Sequence, residues 1–364
     1  MRRAADVAPV LAALVLGTAA PAISIVDPGQ GPVALADGAH TLPRELSGVT
    51  WVPGTSEYWA VSDDQPVLQH LSVSIDPATG EITSGTTVGA LALTRSDGGP
   101  LPASRDLEGI ALSADGASVF VSDEGGIRIR QHSLATGRAL AEIGPATAPA
   151  LAVFASQRTN LGWESLARAP DTGLLYTANE EALTVDGPSG AGATSTKVRL
   201  QALTPGGVSA GQWGYTVSGD IVEGTVGNVN AGVSDLVALP GGSLLVLERS
   251  AGLVSGSLDF RDRIFLVDVT GATDVTGRAS LTAGGYVPAA KTLLWEGFFP
   301  DDNFEGIALG PLLPNGDRSL LLVSDDGAGF DQSLLALCLI GVPEPATGLL
   351  LGAALAAVSL RRRA

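Results

Sequence analysis

Residues 107–125, "LEGIALSADGASVFVSDEG", decide the architecture once they are set beside 304–327, "FEGIALGPLLPNGDRSLLLVSDDG". Each stretch is an apolar run, a turn built on "ADG" or "PNGD", and a second apolar run that ends in acids. Short apolar runs on either side of Gly, Asn and Asp turn residues predict a β-hairpin. Three further stretches share the pattern: "LSGVTWVPGTSEYWAVSDD" from Leu46, "WESLARAPDTGLLYTANEE" from Trp163 and "VSDLVALPGGSLLVLERS" from Val233. The five units begin 56 to 71 residues apart, enough for a four-stranded sheet with loops. The gaps carry more strand-like runs, "VLQHLSV" at 67–73, "VRLQAL" at 198–203 and "RIFLVDV" at 263–269. Radial repetition of small antiparallel sheets builds a β-propeller, so an all-β propeller is expected. Five units can be counted. A sixth blade, formed from the less regular spans or by joining the first and last strands, is the expectation.

Composition supports a large folded domain. Of 364 residues, 45% are apolar and 16% charged, and the 47 glycines suit many tight turns. The net charge of −17 argues against nucleic acid as a partner, because a phosphate backbone needs a Lys/Arg surface. Cys338 is the single cysteine, so neither an internal disulfide nor a thiolate zinc site is expected. His40, His70 and His132 stand in no metal-ligand spacing and read as surface or turn residues.

Both ends read as processing segments. Residues 1–22 have two early arginines, an apolar run and the small-residue pattern Ala20-Pro21-Ala22, which together predict a secretory signal peptide. Residues 23–340 then form the propeller. At the far end, Pro343-Glu344-Pro345 precedes an apolar run from Ala346 to Leu360 and the basic tail Arg361–Arg363. Fifteen residues are short for a span, yet the arginines make a strong stop, so 341–364 predicts a transient membrane anchor. The tripartite end resembles the PEP-CTERM sorting signal of Gram-negative bacteria. That resemblance implies export, recognition by an exosortase, tail removal and release to the cell envelope, surface or extracellular matrix.

The repeat also places acids. In a propeller the inner strands surround a central channel, and residues at one end of them converge. Glu108, Glu164 and Glu305 hold the same place in their units, with Ser47 and Ser234 in the other two. Carboxylates brought into one funnel repel each other, so either their pKa values rise or a cation joins them. Oxygen-only donors suit Ca²⁺. The ends of the second strands add acids, and Asp63, Glu124, Glu180, Glu248 and Asp325 are read as the inward-facing metal ligands. Basic residues are few. Arg105, Arg158, Arg249 and Lys291 stand beside the acids and could pair with them or hold an anionic substrate, and Arg105, Arg158 and Lys291 are the candidate substrate-binding cations. No P-loop or zinc-protease helix occurs.

From about 42 to 335 the chain resembles the phytase-like, or "esterase-like activity of phytase", family. The resemblance rests on the five quoted units in order, with "NLGWESLARAPDTGLLYTANEEAL", "NFEGIALG" and "LLLVSDD" among them. It implies a secreted calcium-dependent propeller acting on a phosphoric ester or other ester, with Glu108, Glu164 and Glu305 as catalytic residues. A non-catalytic, calcium-stabilised surface or matrix module is the alternative. One departure is visible: the family reads Asn-Arg-Gly-Phe-Glu where this chain has Asn160-Leu161-Gly162-Trp163-Glu164. A candidate phosphate contact is thereby lost, and Arg158 could replace it only from a different position.

Overall fold

A computed structural model describes residues 22–38, 45–190, 195–219, 228–329 and 332–342. The sorting tail from 343 onward and all but the last residue of the expected signal peptide lie outside the described residues, as does His40. Among the described residues no helix is long and apolar enough to cross a membrane.

Two short strands, β1 (Ser24–Val26) and β2 (Val33–Ala34), precede the first repeat. Each repeat then opens an antiparallel sheet, or blade, of four strands in blades 1 to 4 and five in blade 5. Blade 1 is β3 (Leu46–Trp51), β4 (Glu57–Ser62), β5 (Val67–Ile75) and β6 (Ile82–Ala92). Blade 2 is β7 (Leu107–Leu112), β8 (Ser118–Asp123), β9 (Arg128–Ser133) and β10 (Ala139–Ile143). Blade 3 is β11 (Ala167–Arg168), β12 (Leu175–Ala178), β13 (Thr196–Leu203) and β14 (Ser209–Val217). Blade 4 is β15 (Asn228–Ala238), β16 (Leu244–Val254), β17 (Ser257–Asp268) and β18 (Ala290–Phe299). Blade 5 is β19 (Asn303–Leu312), β20 (Arg318–Asp325) and β21 (Ser333–Ile340), completed by β1 and β2, which both pair antiparallel with β21.

The propeller therefore has five blades, and the expected sixth is corrected. The first and last strands do join, but inside blade 5, where β1 aligns Ser24 with Ile340 and covers an otherwise open edge. Among the described residues the less regular spans make no sheet of their own: Pro149–Ser156 is a 3₁₀ helix and most of 269–289 is loop. The packing gives the same number. Five apolar cores fill five interfaces, one between each pair of successive blades. Within β16, Leu244 and Val246 pack towards blade 3, and Leu245 and Leu247 towards blade 5, as strand alternation requires. Burial of this kind, at about 25 cal/mol per Å² of apolar surface, is the main term favouring the closed ring. Trp163 is fully buried in the core between blades 2 and 3. His132 is buried within β9, and His70 in β5 stacks on Trp59 at 4.3 Å, so both are strand residues rather than turn residues.

The inner strands β3, β7, β11, β15 and β19 each touch the next around the axis. Such close approach requires residues without a Cβ. A Cβ on Gly48 would lie 2.3 Å from the Glu108 carbonyl oxygen, and one on Gly109 would lie 2.2 Å from the Leu166 nitrogen. These glycines, with Gly306, pinch the channel into two separate cavities. Blade 4 has Asp235 at the equivalent place. Its buried carboxylate accepts the Leu236 and Ile307 N–H groups at 2.8 and 2.9 Å, tying blade 4 to blade 5 at the axis.

Candidate active site at the acidic end of the channel

The position before each throat residue does not sit in the regular ladder. In blade 1, Leu46 pairs Ser62 and Gly48 pairs Val61, so Ser47 is left over. In blade 5, Phe304 pairs Ser324 and Gly306 pairs Val323, which leaves Glu305. Ser234 is left over in blade 4, and Glu108 with Gly109 in blade 2. In blade 3 an isolated bridge holds Trp163 to Asn179, and Glu164 falls between it and β11. A bulge residue is freed from the alternation of its strand and can be re-aimed. The repeat thus carries its carboxylates at the one place where the backbone turns them towards the axis, and Glu108, Glu164 and Glu305 line one cavity of about 300 Å³.

The residues that follow the partners of each unit's first position form a second row: Asp63, Glu124, Glu180, Arg249 and Asp325. Asp63, Glu180, Arg249 and Asp325 line the same cavity. Glu124 stands beside it with its Oε1 accepting the Gly162 N–H at 2.8 Å. Glu248 is one residue out of this row. With Lys291 it lies between blades 3 and 4, where the Lys291 ammonium bonds Glu248 and the Ser218 hydroxyl and sits 4.1 Å from the Phe265 ring centre. Tyr215 also donates to Glu248. Neither Glu248 nor Lys291 lines the acidic cavity. Arg158 spends its guanidinium on the Ala182 and Gly187 carbonyls at 3.0 and 2.7 Å. Arg105 donates to the Asp64 carbonyl, bridging blades 1 and 2.

Arg249 is the one cation among the lining residues. Its guanidinium reaches Glu180 and Glu305, each at 3.1 Å, and donates to Asn303 Oδ1 at 2.8 Å. Asn303 in turn donates to Glu305 at 2.8 Å and to Asp325 at 3.3 Å. Burial opposes the charge on Arg249, but Glu305, Glu180, Glu164 and Asp262 outweigh it and keep the group firmly protonated.

One cation does not balance so many acids. Burial, then the Asp106, Glu305, Asp63 and Glu124 carboxylates, push Glu108 well above the ordinary range. Burial, then Glu108 and Glu180, do the same to Glu164. Asp63 is pushed up to about 8 by burial and by the charges of Asp325 and Glu305. Glu305 reaches only about 7, because Arg249 works against its burial.

Sequence reasoning passed over Asp106 and Asn303, and left Arg249 between pairing with the carboxylates and holding a substrate. Asp106 lies two residues before Glu108. Ligand oxygens of Asp106, Glu108 and Glu124 all come within 4.8 Å of one another, and this buried acidic cluster could chelate a metal ion. The signal for Asp106 was its place just ahead of the repeat unit. The signal for Arg249 was its equivalence to Asp63 and Asp325, visible only once the register is known.

The chain belongs to the phytase-like family: the model described as esterase-like activity of phytase matches residues 43–328. The model of the PEP-CTERM protein-sorting motif matches residues 341–363, a motif that implies exosortase processing and export to the envelope. No curated protein matches the chain by sequence. Among solved structures, the PQQ-bound aldose sugar dehydrogenase of Streptomyces coelicolor is 16% identical, covering 88% of this chain and 100% of that one, with a TM-score of 0.39. Glutaminyl cyclase of Myxococcus xanthus is 13% identical over 88% and 97% of the two chains, at a TM-score of 0.36. Kuenenia stuttgartiensis hydrazine synthase is 11% identical over 80% of this chain, at a TM-score of 0.32, and the match spans 60% of that longer chain. At these scores none of the three bears on the chemistry.

Proposed function

We propose that the chain is an exported, calcium-dependent hydrolase of a phosphoric or carboxylic ester, made with a signal peptide at 1–22 and anchored briefly by its tail until exosortase removes it. The observation that carries this reading is the meeting of Glu108, Glu164 and Glu305 with Asp63, Asp106, Glu180 and Asp325 in one cavity balanced by a single arginine. Carboxylates forced to share a low-dielectric space either hold protons or hold a cation. The donors are all oxygens, which suits a hard divalent ion such as Ca²⁺ and not zinc. Asp106, Glu108 and Glu124 are the residues that would hold it. A bound ion would supply neutralisation of an anionic substrate and polarisation of an attacking water.

The chain's own groups account for the remaining roles. Arg249 and Asn303 fix Glu305 in one orientation. With a pKa of about 7, Glu305 is matched to accept the proton of the attacking water at neutral pH. Bond cleavage at phosphorus or the acyl carbon releases the alcohol, and Glu164 or Glu180 can return a proton to it. Turnover of phosphate monoesters and carboxylic esters by the purified chain, with Ca²⁺ or with chelator, is the test. Calcium-dependent turnover that falls at least a hundredfold in Glu305→Gln is the expected result. Turnover indifferent to both changes would end the proposal.

One observation favours the alternative of a calcium-stapled, non-catalytic module. Arg249 is already committed to Glu180, Glu305 and Asn303, and Arg105 and Arg158 to backbone carbonyls, so few cations are left to grip a phosphate. Calcium-dependent melting without turnover of any ester would select that reading.

A further inference from the structure

The other half of the channel has no part in the reading above. Beyond the glycine throat lies a cavity of about 390 Å³, built by all five blades. Its floor is one aliphatic residue from the same position of each repeat: Val49, Ile110, Leu166, Leu236 and Ile307. Proline and tryptophan side chains from the first and third repeats, Trp51, Pro53 and Pro170, add to the wall. A cavity of this size, mostly apolar and with few polar groups, has the make-up of a small-molecule site.

Two charged groups line it. Asp115 is exposed at the rim, and its carboxylate is already satisfied by the Ser113 hydroxyl at 2.6 Å and the Ala117 N–H at 3.0 Å. Arg168 is half-buried on β11. Its Nε donates to the Leu112 carbonyl at 2.8 Å and its Nη1 to the Ala169 carbonyl at 3.4 Å, which fixes the guanidinium against the wall. Among the described residues no carboxylate pairs with it, in a chain of net charge −17 where the buried arginines Arg130, Arg199 and Arg263, and Arg249 at the acidic cavity, are each ion-paired. Burial alone, with no acid to offset it, pulls its pKa down. An unpaired cation held rigid in apolar surroundings is a ready partner for an anion.

We propose that this apolar end is a second ligand site, distinct from the acidic cavity, and that it takes a small amphiphilic anion. The apolar body of the ligand packs on the aliphatic ring, and its carboxylate or phosphate head pairs with Arg168. The throat separates the ligand from the acidic half, where an anion would be repelled unless a cation is bound.

The test uses the purified full chain with octanoate, octyl phosphate and 1-octanol as probes, each titrated by calorimetry. Saturable binding of octanoate or octyl phosphate, at least tenfold tighter than octanol, is expected, and whichever anion binds more tightly identifies the head group. Arg168→Met should erase the preference for the anion, and Arg168→Lys should restore part of it. Ala114→Trp, at an exposed turn position on the rim, should weaken all three probes without altering circular dichroism. The proposal is overturned if no probe binds saturably, if Arg168→Met keeps the anion preference, or if Ala114→Trp leaves binding unchanged. Because Ala114 and Arg168 are remote from Glu305, these outcomes are independent of whether esters are hydrolysed.

Discussion

The two halves of the channel are made by the same five strands and differ in almost every physical property. At one end the bulged position supplies Glu108, Glu164 and Glu305 from three of the five repeats, and the cavity is acidic and largely uncompensated. At the other end, two residues later in each unit, Val49, Ile110, Leu166, Leu236 and Ile307 make an apolar ring with an unpaired arginine beside it. Between them sit Gly48, Gly109 and Gly306. A shift of two residues along a strand would ordinarily keep a side chain on the same face. The bulge breaks that rule, and the glycine layer keeps the two environments from mixing. One short motif therefore builds two cavities of opposite character.

The largest test of this contrast is Arg249→Met. It leaves Glu180 and Glu305 without their counter-charge, and loss of one partner from a buried pair typically costs about 3–5 kcal/mol. Denaturant unfolding in chelator should show that loss, with the apolar-end ligand affinity of the folded fraction unchanged. Calcium comes next. Raised carboxylate pKa values mean that the folded chain holds protons which the unfolded chain has released. Asp63 and Glu305 have ordinary values of 3.8 and 4.5 and rise in the fold to about 8 and about 7. Their stabilising contribution is present below pH 4 and is lost as the pH climbs through 7 to 8. The ion-free protein should melt at a lower temperature at pH 8 than at pH 5. Calcium should restore most at pH 8, about 2.7 kcal/mol at a hundredfold excess over its Kd. Ion-free stability that increases from pH 5 to 8 would contradict the acidic half of the comparison.

Gly109→Ala probes the layer between the halves. Its Cβ would meet backbone atoms that cannot swing aside, so a loss of about 1–3 kcal/mol is expected together with disturbance of both cavities. Thermal melts alongside both binding assays would register it. Smallest is Arg168→Met, which removes backbone-directed hydrogen bonds at the apolar end and should lower stability by about 0.5–1.5 kcal/mol with no effect on calcium affinity.

The repeat was legible because its cues are local. Turn residues and strand-length apolar runs stand next to each other in the chain, and they named the hairpins and the aligned Glu108, Glu164 and Glu305. Blade number was not legible in the same way. It depends on where β1 pairs, and β1 meets β21 across more than 300 residues. Glu248 and Arg249 show the same limit at the scale of one residue. Adjacent in sequence, they face different neighbours, Tyr215 and Lys291 for one and Glu180 and Glu305 for the other. Alternation along β16 settles which is which, but only after the strand's pairing with the bulged β15 is known.

The amino-acid order alone thus determined a ring of hairpins, the recurrence of an acid ahead of a small residue, and the sorting tail. Tertiary structure decided that five blades close the ring, that Arg249 and not Glu248 completes the inward row, and that Asp106 joins Glu108 and Glu124. The reason is that hairpin formation needs only neighbours in the chain, whereas ring closure, bulge register and the field acting on a buried carboxylate are set by groups that the fold brings together from distant segments.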